Sequence, residues 1–406
     1  MNQNPKQPSN PAAMEPMLPS SRHEELAHLS SQIMRLAGAL SALVPAQLVR
    51  DRAAHLVREM NSYYSNLIEG HKTLPRDIEN ALRNNFSADE SIRTNQHLHR
   101  AHIEVESRMR HRLLTEPGLS VHSPDFILWL HREFYRLLPT ELHYILNQQG
   151  KKYQMIPGVF RDFEVKVGRH QPPLQTALPK MMTRFFQAYS NPNILATNQP
   201  VAIAAAHHRL AWIHPFGDGN GRVARLYSQA CFIRAGIDGF GLWTLSRGLA
   251  RRRSAYFAAL DAADQKRWND LDGRGNLSDR ALADFCCFFL ETVLDQIQFM
   301  SGLFQFENFA KRIDHHLRFN LLQLKKRDLE RLSRLLRAVL INGELHRGQV
   351  GEVVGLSDSA ARQLARLAEQ QGLLTSNSPK GPLSLVFNSY TLESYFPGLY
   401  QDLPIE

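Results

Sequence analysis

The chain has 406 residues, 43% of them hydrophobic and 21% charged, which is enough apolar material for the cores of two or three domains. A formal net charge of +9 at pH 7 and a pI near 9.5 suit a polyanionic partner, whether nucleotide, nucleic acid or membrane surface. The N-terminus has no apolar signal core, the run from Leu36 to Val44 stops at Pro45 short of a membrane span, and Cys231, Cys286 and Cys287 lack metal-ligand spacing. These features argue against secretion and membrane insertion, and a cytoplasmic, reducing location is expected.

In chain order, residues 1–22 are rich in Pro, Asn, Gln and Ser without hydrophobic periodicity, which predicts a disordered tail. Residues 23–115 form an N-terminal helical region in which Ile33, Leu36, Leu40 and Val44 recur three or four positions apart. Residues 116–300 are expected to be a second helical unit, with helical patterns at 178–189, 201–212, 223–235, 247–263 and 279–299. Within it, "GKKYQMIPGVFRDFEVKVGRHQPPLQ" breaks the helical habit. Pro157-Gly158 marks a turn, and Phe163, Val165 and Val167 alternate with Glu164 and Lys166, so one short β-hairpin is predicted there.

Residues 301–336 are expected to be a basic, amphipathic helical linker. Residues 337–406 resemble a helix-turn-helix: Gly355 turns the chain, Ser357 caps the second helix, and Leu364 and Leu367 face inward. Leu373-Leu374 and Leu383 to Phe387, around "SPKG", would form a two-stranded wing. The fold class expected is therefore mainly α, with one short hairpin and a small C-terminal winged-helix domain.

Residues 213–227, "IHPFGDGNGRVARLY", carry the densest chemistry. Helical patterns precede and follow this glycine-rich loop, so it feeds a helix N-terminus, a geometry that binds anions through backbone N–H groups and the helix dipole. Gly219, Asn220 and Gly221 suit a diphosphate cradle, and Arg222 and Arg225 can add charge-assisted bonds to phosphate oxygens. Asp218 beside the cradle can hold Mg²⁺, and His214 can take a proton from an attacking hydroxyl. Taken singly, each feature is ordinary turn chemistry; their coincidence within a dozen residues is not.

"HPFGDGNGRVAR" resembles the signature HxFx(D/E)GNGRxxR of the Fic family at every fixed position. The resemblance extends over roughly residues 30–300 and is strongest at 150–300. It implies a helical enzyme that transfers AMP from ATP, with Mg²⁺, to a hydroxyl of Tyr, Thr or Ser on a target protein. It also implies His214 as the base, Phe216 as the anchor of the loop in the core, Asp218 as the metal ligand and Gly219, Asn220 and Gly221 as the anion hole. Arg222 would grip the leaving pyrophosphate portion and Arg225 the terminal phosphate.

The same resemblance makes His207 a structural histidine, and it makes Tyr256 either a neighbour of adenine or a core aromatic. It makes Gly158, Val159, Phe160, Arg161, Asp162 and Phe163 part of a flap that aligns the target backbone as an added strand. "SNLIEG" fits the family's inhibitory pattern (S/T)xxxE(G/N), with Ser65, Glu69 and Gly70 at its fixed positions. A glutamate paired to Arg225 would take the place of the γ-phosphate, and in some relatives it also serves removal of AMP. Self-modification and a homodimer stay open.

In the C-terminal module Arg362, Arg366 and Lys380 stand where a winged helix can meet DNA. A DNA-binding regulator whose Fic core senses nucleotide is thus the alternative function. A Fic enzyme with another phosphate-containing donor is a third.

Overall fold

In the computed structural model, which describes residues 8–146, 150 and 152–401, the helical periodicities resolve into sixteen α-helices among the described residues. The first four are α1 (His23–Ala42), α2 (Gln47–Ile68), α3 (Pro75–Leu82) and α4 (Glu90–Thr115). Seven follow: α5 (Pro124–Arg136), α6 (Leu178–Tyr189), α7 (Gln199–Ile213), α8 (Asn220–Arg234), α9 (Leu245–Arg251), α10 (Arg253–Ala263) and α11 (Asp279–Phe304). The last five are α12 (Phe306–Asn320), α13 (Lys326–Asn342), α14 (Val350–Val354), α15 (Asp358–Gln370) and α16 (Ser389–Tyr395). Several starts are written locally: Asp89, Ser123 and Ser278 each accept a first-turn amide, from Ile92, Phe126 and Ala281.

Helices α7 and α8 are buried nearly all round, which places them at the centre of the bundle. They pack on each other through small residues such as Ala204, Ala205, Ala224 and Ala230, and α4, α5, α6 and α11 surround them. Helix α1 lays Leu26, Leu29, Ile33, Ala37 and Leu40 onto this assembly, chiefly against α11. The loop joining α7 to α8 is the glycine-rich motif, so the helices at the centre of the bundle carry it.

Three local expectations are revised. Residues 8–22 are packed rather than disordered: Met14 and Met17 are buried, Tyr189 donates to the Met17 carbonyl at 2.7 Å, and Arg209 donates twice to that of Pro16 at 2.8 and 3.0 Å. Side chains of α6 and α7 supply bonds that composition alone does not reveal. Residues 1–7 lie outside the described residues.

The hairpin lies earlier than expected. It pairs β1 (Tyr144–Leu146) with β2 (Lys152–Gln154), antiparallel, with Ile145 opposite Tyr153. Residues 158–163 form no strand, and the alternation at 163–167 ends in a single bridge between Val167 and His170. The helical pattern over 247–263 is two helices broken at Arg252.

At the C-terminal end, the boundary expected at 337 falls inside α13. Its buried Leu332, Leu335, Leu336 and Val339 pack toward β3 (Glu344–Leu345) and β5 (Leu383–Leu385). With β4 (Leu374–Thr375) these strands form a sheet of order β3-β5-β4. Gly355, in the left-handed region, ends α14, and Ser357 stands at the N-cap of α15 but makes no side-chain capping bond. This end of the chain docks onto α2: Arg52 donates to Leu385 O (2.8 Å) and Ser384 Oγ (2.7 Å), and Tyr64 bonds to the backbone of Leu399 and Gln401.

Candidate active site

Helix α7 stops where His214 turns left-handed (φ 50°) ahead of Pro215, and α8 starts at Gly219, whose φ of 78° suits a residue without a side chain. The loop between is pinned from inside. Asn220 Oδ1 accepts from Phe216 N at 2.9 Å, and its Nδ2 donates to Phe216 O at 2.8 Å. The Asn220 side chain is thereby spent on the loop, and what it offers an anion is its main-chain amide in the first turn of α8, where amides have no intrahelical partner. Phe216 is fully buried, its ring stacked on that of His131 with centroids 3.9 Å apart.

Asp218 and the two arginines surround this helix start. Tyr135 donates to Asp218 Oδ2 at 2.6 Å, and Arg222 Nη2 lies 3.9 Å from the same oxygen. Burial pushes the Asp218 carboxyl up, but Arg222 and the Tyr135 hydroxyl pull it down further, so it stays ionised below its usual range. Arg222 is buried, and its Nε and Nη1 have no hydrogen-bond partner among the described residues. A buried guanidinium with open donors is a site prepared for an anion.

A divalent cation fits the same corner. No group of three or more His, Cys, Asp or Glu side chains gathers among the described residues, so a cation at Asp218 would take its other ligands from phosphates and water, as Mg²⁺ commonly does.

The residues of "SNLIEG" reach this pocket from α2. Arg225 Nη2 donates to Glu69 Oε1 at 2.7 Å and to Ser65 O at 2.9 Å, while its Nε donates to Ser65 Oγ at 2.9 Å. Burial raises the Glu69 carboxyl, and Arg225 with Arg222 outweighs that effect and holds it ionised. The carboxylate lies so close to the start of α8 that a Cβ at Gly221 would stand 2.3 Å from Glu69 Oε1. Gly70 (φ 89°) follows Glu69 as α2 ends.

His214 is half-buried beside His170 and Arg161. Burial first, then these two neighbours, lowers its pKa to about 4, so the imidazole is neutral at pH 7 and has a lone pair to accept a proton. An arriving polyanion would raise that value.

Arg161 has a different place from the one expected of it. It is buried and donates to the carbonyls of His214 (2.9 Å), Phe163 (3.0 Å) and Pro173 (2.6 Å), while its own amide donates to Pro215 O at 2.9 Å. It staples the segment to the motif loop and is closed to a target side chain. Within the segment the Phe163 carbonyl goes to this guanidinium and the Arg161 amide to Pro215, so neither is open to a strand ladder.

Phe160 packs toward Phe216, Phe163 stacks on Tyr153, and the Gly158 amide donates to His131 Nδ1 at 2.8 Å. Of the six flap residues, Val159 and Asp162 are the exposed ones.

Tyr256 belongs to the core. Its ring is buried and its hydroxyl bonds to His207 Nε2 at 2.7 Å, while His207 Nδ1 bonds to Ser228 Oγ at 2.8 Å. Tyr135 and His131, by contrast, touch the motif loop and went unremarked in the sequence; the one visible signal was a polar pair four residues apart within the apolar face of α5.

Comparison with known proteins bears on this loop directly. Residues 122–231 match the model of the Fic/DOC family. A "Protein adenylyltransferase Fic" from Nematostella vectensis is 40% identical over 91 residues, 22% of this chain and 21% of the relative. One from Drosophila erecta is 45% identical over 80 residues, 20% of this chain and 16% of the relative. The matched segment thus spans about a fifth or less of the curated relatives.

Among solved structures, a Fic family protein from Desulfovibrio desulfuricans superposes with a TM-score of 0.53 at 18% identity, covering 92% of this chain and 99% of that one. A Fic domain containing signaling protein from Bacteroides thetaiotaomicron gives 0.51 at 18% identity over 67% of this chain and 96% of its own. These two share the fold.

Proposed function

We propose that the chain is a protein adenylyltransferase that moves AMP from ATP to a side-chain hydroxyl of a target protein and is restrained by Glu69. The observation that carries this reading is the convergence of neutral His214, ionised Asp218 and the open donors of buried Arg222 on one helix N-terminus. The acceptor oxygen attacks the α-phosphorus, its proton passes to His214, and pyrophosphate leaves toward Arg222. Magnesium, held by Asp218 and the phosphates, would supply charge neutralisation.

Arg225 would receive the terminal phosphate, and Glu69 now occupies that guanidinium, so ATP entering beside it is held in an unproductive pose. The relatives' printed name, protein adenylyltransferase Fic, supports the choice of donor and reaction. The same carboxylate could orient water for removal of AMP. Buried, unpaired Cys231, Cys286 and Cys287, with no helix among the described residues long and apolar enough to cross a membrane, support a cytoplasmic location.

The test compares wild type, Glu69→Gly and Glu69→Gly/His214→Ala with ATP labelled at the α-phosphate, Mg²⁺ and host lysate. Label that appears on any protein, this chain included, with the first variant and vanishes with the second is expected. Label absent from all three overturns the reading.

A second reading concerns the C-terminal module, whose helix-strand-helix-helix-hairpin order supports a winged-helix reading. Arg362 and Arg366 on α15 and Lys380 in the hairpin loop are exposed, and the nearby Glu369 is engaged by Arg347 at 2.6 Å rather than left to repel phosphate. Duplex DNA docking on α15 predicts a mobility shift at low salt that weakens as salt rises. An unshifted duplex at low salt rejects it.

A further inference from the structure

Helix α5 carries two side chains, His131 and Tyr135, that lie one turn apart and between them touch the motif loop and the segment at Gly158. His131 stacks on Phe216 and accepts the Gly158 amide. Tyr135 donates its hydroxyl to Asp218, and its backbone carbonyl accepts from His143 Nε2 at 2.8 Å, just before β1. The Tyr135 ring is buried, and a Cβ at residue 219 would stand 2.7 Å from its hydroxyl oxygen, so phenol and loop backbone are in direct contact. The phenol also lies beside Arg222, whose open donors mark the anion end of the site.

We propose that Tyr135 is a positioning residue for the cation and polyphosphate: its hydroxyl fixes the Asp218 carboxylate beside Arg222 before nucleotide arrives. This deepens the adenylyltransferase reading and rests on it. The physical basis is preorganisation. A carboxylate about half exposed, as Asp218 is at 47%, is free to turn in water unless a partner holds one oxygen, and ordering it on binding would cost affinity. Partners behind a metal ligand of this kind are commonly worth about 10-fold or more in metal affinity. A phenol that merely filled space would pack equally well without its oxygen.

The experiment uses the full chain as Glu69→Gly, alone and combined with Tyr135→Phe or Asp218→Asn. Mn²⁺ binding is read by electron paramagnetic resonance in the presence of a non-hydrolysable ATP analogue. Labelling from α-labelled ATP is then followed as a function of cation concentration, with a melting curve for each variant. Tyr135→Phe keeps the ring and is expected to shift the Mn²⁺ midpoint about 10-fold weaker, with labelling restored when the cation is raised. Asp218→Asn is expected to weaken Mn²⁺ binding more than Tyr135→Phe does, down to what the phosphates alone provide.

A Tyr135→Phe midpoint within about twofold of the parent overturns the proposal, whatever happens to the melting temperature. Mn²⁺ binding insensitive to Asp218→Asn overturns it too, because no carboxylate site would exist to position. If the Glu69→Gly parent transfers no label, the transfer reading fails, while the Mn²⁺ midpoints still decide the role of Tyr135.

Discussion

Glu69 Oε1 accepts a hydrogen bond from Arg225 Nη2 at 2.7 Å, across 156 residues of sequence, and Ser65, one turn earlier, accepts from the same Nη2 through its carbonyl and from Nε through its hydroxyl. The proposed brake is therefore three hydrogen bonds on one arginine, a charged one to Glu69 and two neutral ones to Ser65. Glu69→Gly should raise labelling at least about 10-fold, the range of ordinary coupling energies, whereas Ser65→Ala, losing one neutral acceptor, should raise it only about 2- to 5-fold. Initial labelling rates at fixed ATP check the order; equal effects would mean the charge is not what blocks the pocket.

Arg161 joins three carbonyls, those of His214, Phe163 and Pro173. Arg161→Ala leaves them in a closed site, and a loss of about 3 kcal/mol in unfolding free energy is expected. Arg161→Lys should recover little, because an ammonium cannot present the planar fork that reaches His214, Phe163 and Pro173 together. Urea unfolding of the three proteins measures both effects.

Acid should unfold the protein early. Burial lowers the pKa of His99 and His207 to about 3 and that of His122 to about 4, from 6.5. Above pH 6.5 these rings are neutral in both states and cost nothing. Below it the unfolded chain takes up protons that the folded chain refuses, so stability falls as pH drops, by about 1.4 kcal/mol per histidine at pH 5.5. Melting temperature recorded from pH 7.5 to 5 should be flat above 6.5 and fall steeply below it; a flat profile throughout would contradict the burial of these side chains.

Tyr64 lies on α2 directly before Ser65, and its hydroxyl both donates to Leu399 O (3.0 Å) and accepts from Gln401 N (2.8 Å). Tyr64→Phe should cost about 1–2 kcal/mol and loosen the C-terminal segment. Faster clipping near residues 396–401 in limited proteolysis, with α2 otherwise intact, is the expected outcome.

The sequence alone determined the helical class, α6, α7, α8 and the start of α11 to within a few residues, and the grouping of residues 214–225 into one motif, while 247–263 read as one helix where there are two. Those features are written locally: apolar spacing sets a helix face, glycine and proline end it, and a motif holds its residue types together wherever the chain goes. Glu69 was legible as a residue type in a pattern, but its contact with Arg225 depended on how α2 lies against α8.

What only the tertiary structure decided is how polar groups far apart in sequence satisfy one another. Tyr135 meets Asp218 over 83 residues, Arg161 spends itself on the carbonyl of His214 rather than on a target, and Arg209 and Tyr189 order an N-terminal segment that composition marks as unstructured. Tyr256, open in the sequence between adenine and the core, is buried with its hydroxyl bonded to His207. Periodicity reports which side of an element meets the core, whereas irregular backbone and buried polar groups take whatever partner the packing brings within about 3 Å, and no local pattern encodes that choice.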